Sequence, residues 1–133
     1  MVNMNPYTAY LECLNKNKRI PELEAIIATD PKWSYNYALD VIKGPWKRGE
    51  EAISKDSLWS YHYANDIIKG PLESGEEIIS NNSYHSYLYA FYVIKGPFEK
   101  CHPIIFNSEY RKRYIDFLRL INYDLNKISE WLI

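Results

Sequence analysis

The sequence predicts an all-α fold, an α-solenoid of about five stacked helix-turn-helix units, and three observations carry that reading. Lys-Gly-Pro followed by a large apolar residue occurs at Lys43-Gly44-Pro45-Trp46, Lys69-Gly70-Pro71-Leu72 and Lys95-Gly96-Pro97-Phe98, with a period of 26 residues. Aligned on that period, residues 31–56 and 57–82 agree at 15 of 26 positions, and residues 57–82 and 83–108 at 13. Within each copy, apolar residues recur at helical spacing on both sides of a Gly-Pro break. A lone pair of such short helices has nothing to cover its apolar stripe, so neighbouring pairs must supply the core.

The elements follow in chain order. Residues 1–30 form a degraded N-terminal unit: Tyr10, Cys13 and Leu14 match a first helix with one residue deleted, and Ile20, Leu23 and Ile27 match a second. In the unit 31–56, Asp30 is the expected N-cap and Pro31 the first helical residue of a helix running to Lys43. Gly44 is the expected left-handed end and Pro45 the stop. Tyr35, Ala38, Val41 and Ile42 make the buried face. It recurs as Tyr61, Ala64, Ile67 and Ile68, then as Tyr87, Ala90, Val93 and Ile94. A shorter helix from Pro45 to Ser54 carries Trp46, Gly49 and Ile53. Its small-residue column, Gly49, Gly75 and Cys101, implies close approach of another helix, because glycine inside a helix costs about 1 kcal/mol against alanine. The units 57–82 and 83–108 repeat this plan. Residues 109–133 read as a capping unit in which Tyr114, Phe117, Leu120 and Ile121 match the Tyr35 stripe shifted by one residue. Leu125, Ile128 and Leu132 resemble its second helix, and Arg111, Lys112, Arg113, Asp116 and Arg119 face water.

Composition excludes several classes. The 133 residues suit a single domain, 47% hydrophobic and 25% charged, with an aromatic fraction of 16% that must fill interfaces or present a surface. Net charge is −1, so no global field draws the chain to nucleic acid or anionic lipid. No apolar run approaches the roughly 20 residues of a bilayer span, and Met1 to Tyr10 has no basic stretch followed by an apolar one. The two cysteines, Cys13 and Cys101, fall in small-residue packing columns and read as buried, inert thiols in a reducing cytoplasm.

The string Ser-Tyr-x-Tyr-Ala-x-Asp-[Val/Ile]-Ile-Lys-Gly followed by Gly-Glu-Glu-x-Ile resembles short repeats in proteins of tailed bacteriophages and large DNA viruses. The usual form of that repeat is closer to Tyr-Ala-x-Asp-Val-Ile-Lys-Gly-Arg-Trp-Pro-Glu-Ala-Glu. Residues 31–108 carry the likeness and the ends only weakly. This chain departs in placing Pro45, Pro71 and Pro97 directly after the glycine, and in having His102-Pro103 where the other units have Glu50-Glu51 and Glu76-Glu77. The resemblance implies a helical repeat of viral origin acting in the host cytoplasm, and brings no catalytic set with it.

Catalysis needs a convergent set of unlike groups, whereas nearly every polar residue here belongs to a repeating column. Glu50-Glu51 and Glu76-Glu77 read as solvated carboxylates in a first helical turn. His62, His85 and His102 lack metal-ligand spacing and read as surface or packing histidines, and no glycine-rich phosphate loop is present. The expectation is a non-enzymatic protein without metal or cofactor.

The surface is more telling. Helical geometry points Trp33, Asn36, Asp40 and Lys43 outward, with Trp59, His62, Asp66 and Lys69 next and then His85, Leu88, Tyr92 and Lys95. Tyr37, Tyr63 and Tyr89 sit on the flank, where they either pack between units or line the exposed face; packing is favoured. Asp40 and Asp66 stand three residues before Lys43 and Lys69, positioned to pair with them. That pairing and the near-zero net charge disfavour the reading of Lys43, Lys69 and Lys95 with the tyrosines as a nucleotide or nucleic-acid site. In the third unit three polar positions turn apolar, as Leu88, Phe91 and Tyr92. That patch, extended along Trp59, His62 and Tyr63, is the expected contact surface for a host or viral protein that the chain would block, as an inhibitor of a defence factor does. Self-association through the same patch, or its burial under Trp131 and Leu132, are the competing accounts.

Overall fold

In the computed structural model, which describes residues 4–133, every regular element is a helix; the first three residues of the Met1–Tyr10 stretch lie outside the described residues. Helices α1 (Pro6–Lys16) and α2 (Pro21–Ile27) form the N-terminal pair. Helix α3 is α-helical over Pro31–Tyr37 and π-helical over Ala38–Ile42, and α4 spans Lys47–Ile53. Helix α5 likewise passes from α (Ser57–Tyr63) to π (Ala64–Ile68), and α6 opens with a 3-10 turn (Glu73–Gly75) before Glu76–Ser80. Helix α7 (Ser83–Leu88, then π over Tyr89–Ile94) and α8 (a 3-10 turn at Glu99–Cys101, then His102–Ile105) complete the third clear unit. Helix α9 (Arg111–Leu120) and the 3-10 segment α10 (Leu125–Trp131) close the chain.

Odd-numbered helices α1, α3, α5 and α7 lie side by side in one layer, and each of α2, α4 and α6 packs on the odd helix before it and the one after. The fold is thus an all-helical repeat of contacting neighbours, as the 26-residue period predicts. The N-cap expected at Asp30 is present, and its equivalents in the next two units act alike. Asp30 accepts from Trp33 N at 2.8 Å, Asp56 from Trp59 N at 3.0 Å and Asn82 from His85 N at 2.8 Å, while Asn5 and Thr8 form a reciprocal capping box.

The ends of the odd helices differ from expectation. Lys43, Lys69 and Lys95, not the glycines after them, adopt the left-handed conformation, with φ of 62°, 59° and 58°. Pro45, Pro71 and Pro97 give the reason: a residue before proline is pushed toward extended backbone, so the reversal falls one residue earlier and none of these glycines has positive φ. The even helix then starts later than Pro45, because Trp46 is itself extended (φ −132°, ψ 93°).

The π turns account for one residue of length. In α1 the chain ends in a regular Schellman cap, with Asn17 left-handed, Asn17 N donating to Leu14 O and Lys18 N to Cys13 O. Helix α9 ends the same way at Asn122. In α3 the residue after the cap, Gly44, donates to Ala38 O, which sits in the Cys13 column, but one more residue separates the two. The ladder widens to i→i+5, as Lys69 N to Ala64 O (2.7 Å) and Lys95 N to Ala90 O (2.8 Å), and absorbs the extra residue. The deletion expected in the N-terminal unit is the absence of this π residue.

The core is a set of columns. Ile27, Ile53, Ile79 and Ile105 are fully buried, as are Ala38, Ala64 and Ala90. Ser34, Ser60 and Ser86 are buried too, each donating to the carbonyl of the isoleucine seven residues earlier. Opposite them stands the small-residue column: a Cβ on Gly49 would lie 2.5 Å from the Trp46 ring and 3.0 Å from Ser34 Cβ, and one on Gly75 would lie 2.9 Å from Ser60 Cβ. Cys101 fills the third slot, and Cys13 is equally buried; burial pushes the Cys101 thiol up to about 12 and raises that of Cys13.

A fourth column ties units together. Tyr37, Tyr63 and Tyr89 are wholly buried and reach back to the even helix of the preceding unit. The Tyr63 hydroxyl donates to Glu50 Oε2 (2.6 Å) and accepts from Trp46 N (2.9 Å); Tyr89 does the same with Glu76 (2.7 Å) and Leu72 N (2.9 Å). Tyr37 donates to the buried Glu24, which Arg19 also holds. Glu50 and Glu76 are therefore half-buried acceptors, not the solvated first-turn carboxylates the sequence implied; Glu51 and Glu77 do face water. Tyr114 belongs to this column as well, accepting from Phe98 N at 3.0 Å, so α9 is offset in the opposite direction from the Tyr35-stripe alignment. Leu120 and Ile121, expected in the core, accordingly point outward at 75% and 38% exposure.

Removing the Tyr63 hydroxyl leaves the Trp46 N–H and the Glu50 carboxylate without their shared partner, so Tyr63→Phe should cost about 1–3 kcal/mol. The control Tyr92→Phe, at an exposed position, should be near neutral. Urea denaturation of the three proteins checks both.

Candidate binding surface

The outer side of the odd-helix layer carries a second ladder. The Tyr10 hydroxyl donates to Asp40 Oδ2 (2.5 Å), and the Tyr35 hydroxyl to Asp66 Oδ2 (2.6 Å), each tyrosine reaching forward into the next unit. Their rings pack on the following tryptophan, Tyr10 stacked on Trp33 at 5.2 Å and Tyr35 tilted against Trp59 at 5.3 Å between centroids. Burial first, then the neighbouring carboxylate, holds both phenols well above their ordinary range. Trp33 and Trp59 are thus half-buried rungs rather than outward-facing side chains.

This ladder corrects the expected Asp–Lys pairing. Asp40 and Asp66 give their oxygens to tyrosines, and the left-handed turn carries Lys43 and Lys69 off the helix path where an i,i+3 pair would meet. Among the described residues, none of Lys43, Lys69 and Lys95 forms an ion pair. Lys43 and Lys69 flank one cleft, of about 210 Å³, with Asp66 between them; Lys69 and Lys95 flank the next, of about 330 Å³, where Tyr92 takes the place of the acid.

The ladder stops in the third unit. Tyr92 replaces the aspartate, so Tyr61 donates to no carboxylate, and His85 replaces the tryptophan and bonds through Nδ1 to Ser57 Oγ at 2.7 Å. Tyr92 is 51% exposed, its ring edge-on to Phe91 at 4.8 Å; Phe91 in turn contacts Phe117 of α9 at 5.1 Å. Beside them a cleft of about 360 Å³ between α7 and α9 is lined by Tyr87, Phe91, Arg113, Asp116, Phe117 and Leu120.

Of the residues the sequence nominated, the structure brings Phe91 and Tyr92 together, with Leu88 half-buried against the core. Trp59 and His62 are half-buried one unit away, their rings 5.8 Å apart, and His62 Nδ1 lies 3.7 Å from Asp66. Tyr63 is not on the surface at all: its hydroxyl is needed inside, so it leaves the candidate set. Trp131 does not cover the patch; it stacks on Phe106 at 5.7 Å at the far end of the even-helix layer. Leu120 and Arg113 join the surface unforeseen. Placing Tyr114 in the buried-tyrosine column, an offset of one residue that is equally small, exposes Leu120 from sequence alone.

The last even helix carries a variation on the inner ladder. His102 replaces the glutamate of its column, is buried, and its Nε2 lies 2.8 Å from the Tyr114 hydroxyl. Phe98 N–H also donates to that oxygen, and with the imidazole neutral and protonated on Nδ1 its Nε2 accepts the tyrosine proton. A concavity of about 310 Å³ beside it is lined by Glu99, Lys127, Glu130 and Trp131. Among the described residues no three His, Cys, Asp or Glu side chains converge as a metal site, and no described helix is long and apolar enough to cross a membrane.

Comparison with known protein families, curated proteins and solved structures found no match.

Burial depresses the His102 pKa, against the opposing pull of Glu99 and Glu130. Protonation also turns Nε2 into a donor facing the Tyr114 proton. The unfolded chain therefore binds the proton more readily, and stability should fall as pH drops below the ordinary histidine value of about 6.5. His102→Gln, which still accepts from Tyr114 but does not titrate, should flatten the fall over that window. Thermal midpoints of the two proteins from about pH 7.5 to about pH 5, which brackets the histidine range, test the sign.

Proposed function

We propose that the chain is a non-enzymatic protein-binding module whose contact surface is the edge formed by Phe91, Tyr92 and Leu120. The observation that supports this reading is the break in the outer ladder. Two units use the column for a Tyr–Asp bond within the array, whereas the third substitutes Tyr92, half-exposed, with Leu120 at 75% exposure across the neighbouring cleft. An exposed aromatic next to an open apolar cleft is the composition of an interface anchor. Among the described residues the periodic columns are taken up by packing and capping, which supports a binding role over a catalytic one.

The resemblance to phage and large-virus repeats extends the proposal: the module acts in a host cell, occupying the surface of a host protein such as a defence factor. Self-association through the same edge is the competing use of the surface. Tyr92→Asp restores the aspartate that the two preceding units carry and Leu120→Asp charges an exposed position; both place charge where an anchor would dock and remove no core side chain, so the thermal midpoint should not fall while binding weakens by about 2 kcal/mol or more. Immobilised wild-type chain should retain from host lysate a protein that the double variant does not. Equal retention by both would remove the surface from consideration. A wild-type chain that doubles its mass in light scattering, while the variant stays monomeric, would instead assign the edge to self-association.

A further inference from the structure

We infer that the occupant of this edge is an acidic protein segment, its carboxylates set around one or two apolar anchors. The inference rests on the proposed binding surface and adds the chemistry of the partner.

Charge at the edge carries the argument. Helix α9 holds Arg111, Lys112, Arg113 and Arg119 against Asp116, a net +3 in a chain whose total is −1. Three of these cations are already engaged. Arg111 donates to Phe106 O at 3.1 Å, and Lys112 and Arg119 both lie on Asp116, at 3.2 and 3.5 Å. Arg113, at the rim of the aromatic cleft, has no carboxylate among the described residues and lies 5.9 Å from the Tyr110 ring centroid. On the other side of Tyr92 stand Lys69 and Lys95, likewise without a carboxylate partner.

The Phe91 ring, in one cleft, touches the Tyr92 ring, in the other, so one apolar ridge is bordered by three cations that form no ion pair among the described residues. The equivalent cleft one unit earlier, between Lys43 and Lys69, contains Asp66. Exchange of that acid for Tyr92 thus does two things at once: it adds an anchor and removes the local negative charge. A complementary partner presents separated carboxylates and an apolar side chain.

A nucleic-acid strand fits less well. Asp116 lines the aromatic cleft and Asp66 lies beside Lys69, so a continuous phosphate chain crossing the edge would meet carboxylates at both rims.

The test is selection of random peptides of about 16 residues, long enough for a helix or strand to cross both clefts, on the intact chain. Retained peptides should be rich in Asp and Glu around Leu, Phe or Trp. A synthesised consensus peptide should bind roughly tenfold more weakly to Lys69→Glu/Lys95→Glu and to Arg113→Glu, and more weakly as salt is raised. Peptides with Lys in place of their acids should regain affinity for the charge-reversed variants, which separates lost charge from lost fold. Retained peptides that are neutral or basic but still lost on Tyr92→Asp overturn the acidic partner and leave the surface standing. Binding indifferent to Tyr92→Asp and Leu120→Asp, or no peptide retained, overturns both. Oligo-dT or phosphatidylserine vesicles bound through the same three cations, with no acidic peptide retained, overturn the inference in favour of a phosphate ligand.

Discussion

A buried phenol with a partner for both its proton and its oxygen is the constraint on which the architecture depends. Tyr63 and Tyr89 each use one hydroxyl to hold two groups of the preceding even helix, a backbone N–H at its start and a glutamate one turn later. Burying a phenol without such partners forfeits about 1–3 kcal/mol, so each tyrosine constrains where the preceding helix begins and which of its residues accepts the proton. The small-residue column and the buried serines then follow, because the even helix must come close enough for the hydroxyl to reach. At the N-terminal end the phenol keeps its glutamate, the buried Glu24, which Arg19 compensates; at the other end His102 takes the acidic position outright.

Much of this architecture was legible in the sequence because a repeat prints its physics several times over. Helix pairs, N-caps, the apolar stripes and the meaning of the glycine column all followed from residues that recur. What was not legible had one cause: spacing within a helix does not say which neighbouring group a side chain will choose. Asp40 has Lys43 at i+3 and was assigned to it, yet Tyr10, thirty residues away, takes the carboxylate. Glu50 and Glu51 look interchangeable in the string, but only Glu50 lies under Tyr63. The left-handed residue was assigned to glycine on intrinsic preference, and the following proline overrode it.

The candidate surface was half legible. Loss of polarity at Phe91 and Tyr92 is visible in the alignment of units, since it is a departure from a pattern rather than a pattern. Tyr63 was misplaced because a column of tyrosines looks alike whether it lines a groove or fills one; its burial follows only from the position of Glu50 and Trp46. Leu120 and Arg113 depend on how the terminal helix is phased, and a shift of one residue in either direction matched one tyrosine column or the other. Where a repeat ends, its redundancy ends with it.

The π turn has a consequence for how such an array lengthens in evolution. Because a surplus residue is taken up by a wider coil just before the left-handed cap, a duplicated segment cut one codon long or short still delivers its tyrosine, serine and isoleucine to their slots. Helices α1 and α3 are the two outcomes of that tolerance within one chain, twelve and thirteen residues from N-cap to left-handed cap. Imprecise recombination between copies is therefore survivable at this joint, which leaves such a lineage free to shuffle bricks and to vary the few side chains at the edge.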